Sequence, residues 1–280
     1  MEPKNNENSK IDLYYFTDPL CSHCWALDTV LTRFKYEYQA YINIHTVMGA
    51  LVEDDNHYLD LKGPEAKEQA SHWDQISRFY HVPLNGRVWH KDPITSSFPS
   101  SITFLYLQEH HPDIAPKFLR LTREAAFLFE KNIAKRSVLA DLLNQLKIDS
   151  DPILDFSFSE KGKELLHENL APMDRLSVST FPTVVMINAN QEAVKVIGSR
   201  TMDVYKKALK KVLPESFEYH PTELPPLSEF LEIMPTLFWQ DLEKLYDIPS
   251  ENVGKFINSH MKDIPYTTGK IAGYRYIQKK

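Results

Sequence analysis

Cys21 and Cys24 are the only two cysteines in the chain, and Ser22 and His23 lie between them. A Cys-x-x-Cys pair can cycle between dithiol and disulfide, or it can hold a metal. A zinc site needs two further Cys or His ligands. No second cysteine pair exists, and His23, His45 and His57 are scattered along the chain, so metal binding is disfavoured and no cofactor is expected. A pair of inert, buried thiols is the plainer alternative, and the spacing weighs against it. If Cys21 opens a helix, residues three apart bring their side chains together. The free N–H groups and the positive end of the helix dipole then stabilise a thiolate at Cys21. A protonated His23 would favour the same thiolate. On this reading Cys21 is the exposed attacking thiol and Cys24 the more buried resolving one.

The flanking residues supply such a helix. Ile11–Thr17 is a β-branched and aromatic run that ends at Asp18-Pro19, which predicts a buried strand. From Leu20 to Tyr38 the apolar residues Trp25, Leu27, Val30, Leu31, Phe34 and Tyr38 fall mostly three or four apart, which predicts a helix. Tyr41–Met48 predicts a second strand, stopped at Gly49. Strand, helix, strand in this order makes a right-handed parallel βαβ unit. A helical stretch follows, with Ala66, Ala70, Trp73, Ile76 and Phe79 spaced along one face. Further helices are expected near 99–109, 115–130, 137–146 and 159–170, with a break at Asp149-Ser150-Asp151-Pro152. Pro182–Ile187 and Ala193–Ile197 predict an antiparallel hairpin, and Met202–Leu213 a closing helix. Residues 214–227, with Pro221, Pro225 and Pro226, form a stiff linker. Beyond it, helices over 237–246 and 250–260 and a tail hairpin outline a winged-helix-like module. A helical tail packed on the main domain is the alternative.

Thr180-Phe181-Pro182-Thr183 is the second candidate constellation. A proline at the head of a strand is tolerated in trans, whereas a cis bond there would be a deliberate turn device. Its pairing with an upstream strand–Cys-x-x-Cys–helix favours cis. The net charge of −6 argues against nucleic acid or an anionic membrane as partner. The first ten residues are polar and carry no export signal, and no apolar run is long enough to span a bilayer. A cytoplasmic location is therefore expected, where a structural disulfide is unusual.

The block Tyr15–Trp25 resembles the DsbA/FrnE branch of the thioredoxin superfamily. So do Glu124–Ile133 and the run from Phe158–Glu164 to Val178–Val184. The resemblance covers roughly residues 11–213. It implies an α/β thioredoxin-like fold built from 11–55 and 175–213, with a DsbA-like helical insertion over 56–174. Residues 1–10 would be a flexible start and 228–280 a small C-terminal α+β module. The resemblance also implies a cis Pro182 whose loop faces the cysteines, with Trp25, Phe181 and Pro182 facing a bound peptide. Within that branch the added C-terminal module is similar to the SpxH/YjbH family of ClpXP adaptors. That likeness implies binding of the transcription regulator Spx and its delivery to the ClpXP protease. Thiol–disulfide oxidoreductase activity at Cys21 and Cys24 is the alternative function.

Overall fold

Strand β1 (Ile11–Thr17) lies at the centre of the larger sheet. It pairs in parallel with β2 (Ile42–Met48) and antiparallel with β3 (Thr183–Ile187), and β3 pairs in turn with β4 (Ala193–Ile197), giving the order β2-β1-β3-β4. The computed structural model describes residues 10–50, 64–214 and 218–280. The expected flexible residues 1–9, the expected boundary at 55/56, His57 and part of the linker fall outside that description.

Successive β1 side chains point to opposite faces. Ile11, Leu13 and Tyr15 join Leu27, Leu31 and Phe34 of α1 (Ser22–Tyr38), with Tyr205 and Leu209 of α10 (Met202–Val212), in one core. Phe16 joins Val47, Val178 and Val185 in a second core on the other face. Helices α2 (Pro64–Tyr80), α3 (Val88–Lys91), α4 (Phe98–His110), α5 (Ala115–Phe127), α6 (Arg136–Gln145), α7 (Ser150–Ser157), α8 (Glu160–Asn169) and α9 (Ala171–Arg175) stand between β2 and β3 in the chain. Most of them share a third core around Trp73, Phe118 and Phe127.

Two expectations for this helical block are corrected. Phe79 is 74% exposed. A 3.6-residue period carries the buried face from Trp73 to Ile76 and Ser77, and Phe79 turns outward. Residues 149–152 start a helix instead of breaking one. Asp149 is the N-cap of α7, its carboxylate accepting the Asp151 N–H at 3.3 Å, and Pro152 occupies the first turn, where its missing N–H is not needed.

The last part of the chain folds as α11 (Leu227–Ile233), β5 (Thr236–Phe238), α12 (Trp239–Tyr246), α13 (Val253–His260), β6 (Tyr266–Ile271) and β7 (Tyr274–Lys279). Its sheet has the order β5-β7-β6, so the short first strand pairs with the last. Helix, strand, two helices and a hairpin closed in this way keep the winged-helix outline. The sequence reading misses α11 and β5, and it assigns Leu227 to the linker and Leu237 to a helix. The module has its own core of Phe230, Leu237, Leu242 and Ile277. It is nonetheless docked on the rest of the chain: Tyr36 of α1 packs into that core, and Phe238 packs into the helical block.

Candidate redox site and the polar latch beneath it

Cys21 is the N-cap of α1. Its sulfur accepts the Cys24 N–H at 3.1 Å. The two cysteines form a disulfide with Cα atoms 5.1 Å apart. Asp18 holds the turn that leads into them. Its carboxylate accepts the Leu20 N–H at 2.8 Å and the Ser97 hydroxyl at 2.9 Å, and its carbonyl accepts the Cys21 N–H at 3.2 Å. The redox turn is thereby tied to the start of α4.

Pro182 reaches the same edge of the sheet. The Phe181–Pro182 peptide bond is cis. Phe16 lies opposite Thr183 in the β1–β3 register, so Pro182 falls opposite Thr17, the end of the strand that leads into Cys21. A methyl group on Gly49 would sit 2.5 Å from the Phe181 ring, and the Gly49 N–H bonds to the Thr17 carbonyl at 2.6 Å. Phe181 therefore rests on the end of β2, beside the end of β1. Pro182 is buried and Phe181 half-buried.

The other expected site residues are placed differently. Cys24 is fully buried, and Cys21 is only 6% exposed, not the open thiol the sequence reading expects. His23 is half-buried. Its Nδ1 lies 3.4 Å from the Tyr80 hydroxyl, and its ring centroid is 5.8 Å from that of His72. Burial, and then the nearby His72, push the His23 imidazole below its ordinary value. Both effects work against the positive charge expected of it. Trp25 does not face a peptide: it is 4% exposed, and its indole N–H donates to the Pro83 carbonyl at 2.9 Å. The Arg120 guanidinium lies 4.3 Å from its ring centroid. The side chains flanking His23 are His72, Tyr80 and, stacked edge-on to Tyr80 at 4.8 Å, the exposed Phe79. Sequence reasoning missed this trio because α2 meets α1 only in the folded chain. His45 is remote from them, paired with Asp12 on the sheet.

Beneath the turn lies a buried polar network that periodicity gives no hint of. Arg120 donates from Nε to Glu124 at 2.8 Å, from one Nη to Asp28 at 2.7 Å and from the other to the Thr236 carbonyl at 2.7 Å. The Thr236 hydroxyl donates to Glu124 at 2.9 Å, and Thr29 donates to Asp241 at 2.6 Å. Arg123 donates to Asp28 at 2.9 Å and to the Thr17 hydroxyl at 2.5 Å. Burial alone would raise the Asp28 carboxyl, but the Arg120 and Arg123 guanidiniums hold it below the carboxylate range. The network joins β1, α1 and α5 to the C-terminal module. Its one sequence signal is the i,i+4 pair of Arg120 and Glu124.

Residues 14–207 match the family model described as Thioredoxin. The chain is 28% identical over 231 residues to a protein named ClpXP adapter protein SpxH in Halalkalibacterium halodurans, covering 81% of this chain and 74% of that one. It is 26% identical over 249 residues to the Bacillus subtilis protein of the same name, covering 88% and 81%. In fold it is similar to the cytosolic disulfide reductase DsbM from Pseudomonas aeruginosa, with a TM-score of 0.58 at 17% identity over 71% of this chain and 97% of that one. The chain belongs to the thioredoxin superfamily and, within its DsbA-like branch, to the SpxH ClpXP adapter family.

Proposed function

We propose that this protein is a cytoplasmic adaptor that binds the transcription regulator Spx and presents it to ClpXP. The observation that carries the reading is the docked C-terminal module. An adaptor must hold two partners in a fixed relation, and Arg120, Glu124 and Thr29 clamp that module to the thioredoxin body through buried bonds to Thr236 and Asp241. The names of the relatives, matched over 81% and 88% of this chain, support it. A fold that carries a peptide-facing loop can be reused for docking a polypeptide.

On this reading the Cys21–Cys24 chemistry is not needed for delivery. The burial of both cysteines agrees with that, as does the burial of His23, which works against its charged form. The test is a titration of purified Spx with this chain and with its Cys21→Ser/Cys24→Ser form. The same saturable complex is expected with both. Absence of a complex with either form would overturn the adaptor reading.

A second reading rests on the disulfide at a helix N-cap beside a cis proline. Once the pair is reduced, a Cys21 thiolate would attack a substrate disulfide, releasing one substrate thiolate. Cys24 would then attack the mixed disulfide, releasing the other and restoring the internal bond. Insulin reduction with dithiothreitol as the electron source, compared with Cys21→Ser, tests it. Turnover that survives the substitution would exclude this mechanism.

A further inference from the structure

Between α1, α4, α5 and the end of α11, on the β1–β2 part of the sheet, lies a cavity of about 470 Å3. Neither cysteine nor the Phe181–Pro182 loop lines it. Its volume falls in the range of small-molecule sites. Leu31, Phe104, Leu119 and Met234 form apolar walls, and Ile44, 41% exposed, stands at the mouth. Tyr15 and Arg123, both buried, line the cavity as well.

Three cations, Lys35, Arg120 and Arg123, line this space. Arg120 is paired with Glu124 as well as with Asp28, so the cation left over is Lys35. Asp28 spends one oxygen on Arg120 and the other on Arg123. Lys35 makes no hydrogen bond or ion pair among the described residues, and its ammonium lies 4.9 Å from the Tyr15 ring centroid. The Nε–H of Arg123 is buried without an acceptor. An under-neutralised cation group is unfavourable in a recess of low polarity unless an anion joins it. Burial pushes Lys35 down to about 8, with Asp28 opposing the shift and Arg123 reinforcing it.

We propose that this cavity binds a small amphipathic carboxylate, its head taken by the Lys35 ammonium beside Arg123 and its apolar body by the Leu31–Phe104–Met234 wall. The volume suits a free small molecule rather than a length of polypeptide. The mouth lies between the thioredoxin body and α11, so the ligand would touch both.

The test is calorimetric titration of the full chain with octanoate, using octylamine and octan-1-ol as probes with the same tail. Saturable one-site binding of octanoate alone is expected. Lys35→Met should weaken it at least about tenfold and Lys35→Arg much less, the loss of one charge-assisted bond. Lys35→Gln serves if the Met form does not fold. No saturation by octanoate up to about 10 mM, the weak end of specific binding, overturns the proposal. So does unchanged affinity in both neutral variants, or equal binding of octylamine. Tighter binding of a peptide ending in a free leucine carboxylate would overturn the small-molecule assignment.

Discussion

Cys21 caps α1 with its sulfur, and that role can be separated from its redox role. Under reducing conditions Ser at position 21 keeps an acceptor for the Cys24 N–H, whereas Ala leaves that N–H unpaired. Cys21→Ala should therefore be less stable than Cys21→Ser by about 1 kcal/mol in urea unfolding. Equal stability would mean the cap contributes nothing. Lys35 gives a second residue-scale prediction, of the opposite sign. Its folded-state value of about 8 lies below the ordinary 10.5. Between those pH values the unfolded chain holds a proton that the folded chain has lost, so wild-type stability rises with pH through the window. Tyr15, Asp28 and Arg123 are the groups facing it. Lys35→Met should therefore be more stable at pH 7, by up to about 3 kcal/mol, and the gain should vanish above the ordinary lysine value. Thermal melts of both forms across that range check it. A cation kept at such a cost to stability fits a binding role better than a packing role.

At the scale of elements, α5 is the helix that holds the molecule together. Burial works against the charge on Arg120, but Glu124 and Asp28 outweigh it and keep the guanidinium protonated. Arg120→Met would take the guanidinium from two buried carboxylates and from the Thr236 carbonyl, leaving Glu124 without a cation, so a loss of about 3–5 kcal/mol is expected in denaturant unfolding. Lys at 120 should not rescue it, because one ammonium cannot serve three acceptors in a plane. The same helix shows where sequence reading stops. Strands β1 to β4 are legible as β-branched and aromatic runs closed by Gly or Asx, and α1 and α10 as apolar faces of period 3.6. The cysteine turn and Pro182 are legible because their residue types are rare and correctly spaced. Arg120, Arg123 and Asp28 look like solvated charges in the sequence, because only packing against another element buries them. Trp25 misleads for the converse reason. Its position next to Cys24 places it near the site in sequence, while the helix turns it into the core against Phe127. Strand β5 is three residues long, too short to show an alternation.

At the scale of the molecule, the chain behaves as one body with two faces rather than a domain with a detachable tail. The Tyr274 hydroxyl reaches the Ser77 carbonyl of α2 at 3.3 Å, and Arg33 of α1 bonds both the Lys244 carbonyl and Asp247. A chain ending at residue 214 would uncover Tyr36, take Thr236 from Arg120 and Glu124, and take Asp241 from Thr29. It should melt well below the full chain, and an unchanged melting temperature would show that the docking contributes no stability. This coupling also means that loss of delivery on truncation reports on the body as well as on the module, so truncation alone cannot map the partner surface. The most direct measurement is the rate at which purified ClpXP degrades Spx with the full chain present at substoichiometric amounts. Faster degradation, equal for wild type and for Cys21→Ser/Cys24→Ser, is the predicted result. A rate that stays at the adaptor-free value across a wide concentration range would contradict the account.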